Sequence, residues 1–221
     1  MKDISAITVN WLTARRTLGA VRSIKKYYPK MPLYIIDDGS DEKDKGSFFQ
    51  VYKGNILEDI YQSEKVYDPD TDKLKNIKNT KYIQVPTHRR HGESIDYAMK
   101  YIDSKWIFHI DSDVRLIKAG VIEYMLDGVD DKYCGMGIQK AQHPDYPKVF
   151  NTLFLFRQDL LKKHRLKMKP IYELGLEANT RYFKFLTDKG YKIKFLGSGI
   201  KDYYVHLRFE KGKEDEWNKY Y

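Results

Sequence analysis

Two short apolar runs in this chain end the same way. Leu33-Tyr-Ile-Ile runs into Asp37-Asp38-Gly39-Ser40, and Trp106-Ile-Phe-His-Ile runs into Asp111-Ser112-Asp113. A short apolar run bounded by turn formers reads as a buried strand. Strands buried on both faces belong to parallel sheets covered by helices. In open sheets of that kind ligands bind beyond the carboxyl ends of the strands. Both acid pairs therefore fall on one functional edge and concentrate negative charge there. A divalent cation relieves that repulsion, and oxygen donors suit Mg²⁺ or Mn²⁺, which in turn hold a diphosphate.

The rest of the chain alternates in the same manner. Ile4–Val9 reads as a strand. Thr13 then caps a helix in which Ala14, Leu18, Val21, Ile24 and Tyr28 recur at helical spacing before Pro29 ends it. With Leu33–Ile36 this makes a βαβ unit, whose two strands are expected to be parallel neighbours. Lys81–Val85 is a third strand, and Thr87-His-Arg-Arg-His-Gly leads into a helix with Ile95, Ala98, Met99 and Ile102 on one face. Trp106–Ile110 is the fourth strand. A helix is expected over Ala119–Leu126, strands over Gly135–Gln139 and Val149–Phe156, and a short helix over Gln158–His164. Leu174–Lys189 is the longest helical candidate, closed by Gly190. Lys192–Leu196 and Tyr203–Leu207 are the final strands. Residues 41–80 depart from the pattern. Phe48, Phe49, Val51, Tyr52, Ile56, Leu57, Ile60 and Tyr61 suggest a helix or helical turn there, and Tyr67–Lys78 reads as a long loop of the lid or insertion type. There is no internal repeat and no low-complexity linker, so residues 1–221 are expected to be one α/β domain with a mainly parallel central sheet flanked by helices.

Composition removes several classes of partner. A formal charge of +9 raises the local concentration of anions. The 40 basic residues are spread along the chain among 31 acids, with no basic tail, so dedicated nucleic-acid binding is not indicated. Cys134 is the only cysteine, which excludes an intramolecular disulfide and any cysteine-built metal centre; beside Gly135 in a strand it reads as a buried thiol. No apolar run reaches the ~20 residues needed to span a bilayer, and Met1-Lys-Asp-Ile lacks a signal-peptide core. A cytoplasmic location follows as the expectation, with peripheral membrane contact as an option.

Ile4–Val9, Arg22-Ser-Ile and Leu33-Tyr-Ile-Ile-Asp-Asp-Gly-Ser together resemble the opening of the family 2 glycosyltransferases, which have the GT-A fold. His91-Gly92-Glu93-Ser94, a helix, and Ile107-Phe-His-Ile-Asp-Ser-Asp continue the resemblance into that family's Asp-x-Asp motif. Phe154-Leu-Phe-Arg and Gly190-Tyr-Lys-Ile resemble its acceptor half. The similarity covers nearly all of the chain except residues 41–80, and the order and spacing of the motifs carry it. It implies a GT-A, Rossmann-like nucleotide-diphospho-sugar transferase domain. Residues 1–114 would form its nucleotide-sugar half, and residues 115–221 its acceptor half with a C-terminal flap.

The resemblance also implies roles. Asp38, with Asp37 as the alternative, would accept a hydrogen bond from the nucleotide base. Thr8, Val9 and Asn10 would frame base and ribose, although the family's Pro-x-Tyr-Asn is absent here. Arg89 or Arg90 would reach the diphosphate, where a guanidinium makes paired charge-assisted hydrogen bonds. Asp111 would contact ribose or metal, Ser112 lies between the two acids of the motif, and Asp113 would bind Mn²⁺ or Mg²⁺. His206, in Tyr203-Tyr-Val-His-Leu-Arg, would be a further metal ligand, and Arg208 with Lys211 would follow it onto the phosphates. His109 reads as a packed core histidine, and a metal site built from His88 and His91 is the weaker reading. The family's catalytic base falls nearest Glu177, with Glu173 one helical turn away in reserve. The implied donor is a nucleotide-diphosphate sugar, a UDP-sugar ahead of a GDP-sugar, and the reaction inverts the anomeric centre. Glycan, lipid, protein and modified nucleic acid all stand as acceptors. A nucleotidyltransferase is the nearest rival, but it would carry a glycine-rich loop where Asn10-Trp-Leu-Thr-Ala-Arg-Arg stands. A non-catalytic nucleotide-sugar-binding module is the other.

Overall fold

The computed structural model describes residues 3–11, 13–39, 47–53, 56–62, 70–86, 91–139, 147, 149–168 and 179–207. Strands β1 (Ile4–Asn10), β2 (Leu33–Asp37) and β6 (Trp106–Ile110) are buried at every residue, as their continuous apolar runs predict. They form the middle of a seven-stranded sheet in the order β10-β8-β9-β6-β1-β2-β5. The added strands are β5 (Lys81–Gln84), β8 (Tyr133–Gln139), β9 (Val149–Arg157) and β10 (Lys192–Leu196). β6, β1, β2 and β5 run parallel, as do β10 and β8, while β9 lies antiparallel to both of its neighbours. The sheet is thus mainly parallel.

Helices cover both faces. α1 (Ala14–Tyr27) lays Ala14, Leu18, Val21 and Ile24 on Ala6, Leu33, Ile35 and Phe108. On the other face α3 (His91–Ala98) and α6 (Thr180–Asp188) cover Ile7, Ile36, Ile107 and Phe156. Successive strand residues point to opposite faces, so the central strands feed both cores and are largely apolar on both sides. α6 ends in a Schellman cap: Gly190 has φ +86°, its N–H reaches Thr187 O, and Tyr191 N–H reaches Leu186 O. Cys134 is buried in β8, where its thiol donates to Lys192 O and burial pushes its pKa up to about 12.

Three local expectations change. Residues 47–62 hold an antiparallel pair, β3 (Ser47–Lys53) and β4 (Ile56–Gln62), rather than a helix. Aromatic and β-branched residues favour strands, and Gly54-Asn55 between them is a two-residue hairpin signal. The Tyr67–Lys78 loop contains a short helix, α2 (Thr71–Lys75), anchored by buried Leu74. Val114–Leu116 is an unforeseen strand, β7, paired antiparallel with β11 (Tyr204–His206). Two short helices, α4 (Val121–Leu126) and α5 (Gln158–Lys163), fall where the sequence places them. Of the Leu174–Lys189 helix, the part before residue 179 lies outside the described residues. No helix among the described residues is long and apolar enough to cross a membrane.

Candidate functional site

The parallel register sets Asn10 abreast of Asp37, at the carboxyl edge of the sheet. Asn10 Nδ2 donates to Asp37 Oδ1 at 2.8 Å, and Thr17 Oγ1 on α1 donates to Asn10 Oδ1 at 2.8 Å. Asp38, the next residue, belongs to the other face: Ser94 Oγ on α3 donates to its Oδ1 at 2.5 Å. The Asp37-Asp38 pair is therefore split across the sheet by the period-two alternation of a strand, one carboxylate tied to each flanking helix layer. Both are almost wholly buried. Thr8 and Val9 are also buried within β1, and Thr8 Oγ1 has no hydrogen-bond partner among the described residues.

Asp111 follows β6 directly, and its N–H donates to Thr152 O of β9. The chain turns there, with Val114 N–H on Asp111 O, and enters β7. Because β7 pairs with β11, a segment ninety-odd positions later is drawn against the turn. Leu207 N–H donates to Asp113 O, and His206 Nε2 lies 3.2 Å from Asp113 Oδ2. Both side chains are about a quarter exposed, 28% and 25%. Two donors bound side by side on an octahedral ion, with bonds of roughly 2.1 Å, sit about 3 Å apart. The spacing of the pair thus matches that of two neighbouring ligands on a divalent ion. One imidazole and one carboxylate suit Mn²⁺, and Mg²⁺ less well. Ser112 bridges to α1, its Oγ lying 3.4 Å from Thr13 Oγ1, which also approaches Asn10 Oδ1.

Behind this turn stands a buried cation that sequence reasoning missed. Arg115 is 2% exposed and donates from Nη1 to Ser112 O and Val114 O, both at 2.9 Å. Its guanidinium occupies the space left by Gly19 in α1, where an added Cβ would come within 2.2 Å of Nε. A glycine inside a helical pattern was the available signal, since such a glycine usually has a packing reason.

A third cluster lies on the α3 face. His109 is buried and packs on Phe154, as expected of a core histidine, with ring centroids 4.7 Å apart. Its Nε2 also lies 2.9 Å from Nε2 of His91 at the start of α3, and 3.8 Å from Asp111 Oδ1. His109 and Asp111 stand two residues apart, hence on one face; α3 brings His91 to them. Asp113 and His206 are not part of this group. Arg89, Arg90, Glu173, Glu177 and Arg208 lie outside the described residues.

No protein-family model matches the chain, and no curated protein is significantly similar to it in sequence. Solved structures are similar to it in fold. The mannosyltransferase PcManGT from Pyrobaculum calidifontis, in complex with GDP-Man and Mn²⁺, matches with TM-score 0.63 and 10% identity over 99% of this chain and 60% of its own. TarS 1–349 of S. aureus, in complex with UDP-GlcNAc, matches with TM-score 0.56 and 16% identity over 94% of this chain and 59% of its own. The bifunctional IspDF of Campylobacter jejuni matches with TM-score 0.52 and 16% identity over 96% of this chain and 53% of its own. The chain spans about three fifths of the length of PcManGT and TarS 1–349. A shared fold does not by itself select an activity. The chain has the GT-A fold of the nucleotide-sugar glycosyltransferases.

Proposed function

We propose that this chain transfers a sugar from a nucleotide-diphosphate donor to an acceptor hydroxyl, with a divalent ion at the donor. The observation that carries the reading is the Asp113–His206 pair, a carboxylate and an imidazole 3.2 Å apart at the carboxyl edge of the sheet. The nucleotide sugars in the PcManGT and TarS complexes support it. Asp113 and His206 would hold Mn²⁺ or Mg²⁺, whose chemistry is to neutralise charge on the departing diphosphate as a Lewis acid. Asp111 hydrogen-bonds the ribose or joins them on the ion. Asp38 takes the base, with Asp37 as the alternative. A carboxylate accepts but cannot donate, which suits a base edge presenting an N–H, such as uracil N3 or guanine N1; the resemblance puts a UDP-sugar ahead of a GDP-sugar.

Asn10, Ser94 and Thr17 hold the two buried acids in fixed orientations, so the nucleotide meets preset acceptors. Arg89 or Arg90 and Arg208 contact the phosphates. Glu177, or Glu173 in reserve, takes the proton of the attacking hydroxyl opposite the leaving group, with inversion. The net charge of +9 favours an anionic acceptor among glycan, lipid, protein and modified nucleic acid.

Calorimetry with UDP and GDP, with and without Mn²⁺, tests the reading. Nucleotide binding is expected only with the ion, and Asp113→Asn or His206→Ala is expected to weaken it at least tenfold. Unchanged affinity after chelation, in protein that remains folded, would overturn the metal role. Release of pyrophosphate in place of nucleoside diphosphate would make the chain a nucleotidyltransferase.

A further inference from the structure

We infer that His91, His109 and Asp111 form a second cation site, for a borderline transition ion of the Zn²⁺ or Co²⁺ type, separate from the Asp113–His206 pair. One donor atom from each of the three residues lies within 4.8 Å of the others. Donor atoms on one ion with bonds of roughly 2.0–2.2 Å are about 3–3.5 Å apart. The two imidazole Nε2 atoms, 2.9 Å apart, are already close to that spacing. Asp111 Oδ1 lies 3.8 Å from His109 Nε2 and within 4.8 Å of the His91 donor, so it must close by about 0.5 Å on the first and by up to roughly 1.5 Å on the second. Its side chain is 26% exposed and ends a strand, so a χ rotation can supply that movement.

The chemistry of the ring pair points the same way. Two Nε2 atoms at this distance cannot both carry a proton. Either one lone pair faces the other ring's N–H, or both face a cation. The His109 ring is fully buried against Phe154, which fixes one donor on a dry wall. His91 and Asp111 are partly exposed, so solvent reaches the cluster from their side.

Ligand type separates this site from its neighbour. Two imidazoles and one carboxylate favour Zn²⁺, Co²⁺ or Ni²⁺ over Mg²⁺. Asp113 and His206 offer one nitrogen and depend on further oxygen donors, which a diphosphate provides. The histidine site therefore fills without nucleotide, and the other fills with it. If Asp111 contacts the ribose, the first alternative in the proposed function, an ion on the histidine site competes with the nucleotide for that carboxylate.

Co²⁺ titration of nucleotide-free protein, followed by its visible d–d absorption, tests the site directly. The background is Asp113→Asn with His206→Ala, so that only the histidine site remains. One equivalent of Co²⁺ is expected per chain, displaced by Zn²⁺, and lost when His91→Ala is added. No absorption in the background protein, or the same equivalent with His91→Ala, overturns the inference. Circular dichroism checks folding; if His91→Ala disturbs it, Asp111→Asn gives the decision, with loss expected and retention refuting. Failure of the donor reading would appear as absent nucleotide binding in the wild type and leave this titration unchanged.

Discussion

Gly19→Ala should destabilise this protein, against the usual sense of that change. In an ordinary helix interior alanine is better than glycine by roughly 1 kcal/mol. At position 19 the new methyl would lie 2.2 Å from Arg115 Nε and 2.4 Å from both Cζ and Nη2. Two responses are open. The guanidinium can leave, losing two hydrogen bonds from a charged donor that contribute roughly 1.5–3 kcal/mol each. Alternatively α1 can shift, at the overpacking cost of about 1–3 kcal/mol. Three atoms this close put the second route near its upper end, so after the helix gain the net loss is roughly 2 kcal/mol. For a chain of 221 residues that lowers Tm by roughly 4–8 °C. Urea and thermal melts of Gly19→Ala, Arg115→Met and the double variant measure it. Once Arg115 is methionine, the same Gly19→Ala change should become neutral or stabilising, giving a coupling of roughly 2–3 kcal/mol. Equal effects of Gly19→Ala in both backgrounds, or a more stable single variant, would refute the packing argument.

Tyr28 accepts from the N–H groups of Gly120 and Ile122 and donates to Glu123 Oε2, so Tyr28→Phe should cost about 1–3 kcal/mol by stranding the start of α4. Burial, the main cause, pushes the Tyr28 hydroxyl up to about 12 from 10.0. A folded pKa above the unfolded one stabilises fully below pH 10 and is lost as pH rises toward 12. The stability gap between wild type and Tyr28→Phe should therefore shrink across that window, and a constant gap would contradict the assignment. Glu177→Gln should leave donor binding unchanged and lower transfer by about 10²–10⁴-fold. Normal transfer by that variant, with loss in Glu173→Gln, would move the base one turn back.

The central sheet was legible because its strands are apolar on both faces, a signal that needs no knowledge of neighbours. Leu33–Ile36 and Trp106–Ile110 identified themselves, and the acids after them fell on the carboxyl edge as expected. The hairpin at 47–62 was not legible from its apolar spacing, because eight large residues in fourteen match helical and strand periods alike. The Gly54-Asn55 pair in the sequence was the better cue. β7 escaped notice because three residues are too few for any period, and its pairing partner is β11, far along the chain. The division of Asp37 from Asp38 was implicit in strand alternation. The meeting of His91 with His109 was not, since it depends on where the packing of α3 on β1 and β2 sets its first residue.

The β7–β11 ribbon lies outside the seven-stranded sheet and consists of three residue pairs, Tyr204 on Leu116, Val205 on Arg115 and His206 on Val114. It is flanked by Ile117 N–H on Tyr203 O and Leu207 N–H on Asp113 O. A two-stranded ribbon is marginal by itself in water. Peeling β11 away breaks this handful of bonds and leaves the parallel strands intact, so its free energy is a fraction of the global unfolding free energy. His206 is thus attached to the fold by a zip fastener, while Asp113 is riveted to it through Arg115. Of the two groups, the imidazole is the one that can step back, at the expense of the packing of Tyr204 and Leu207 but not of the central sheet.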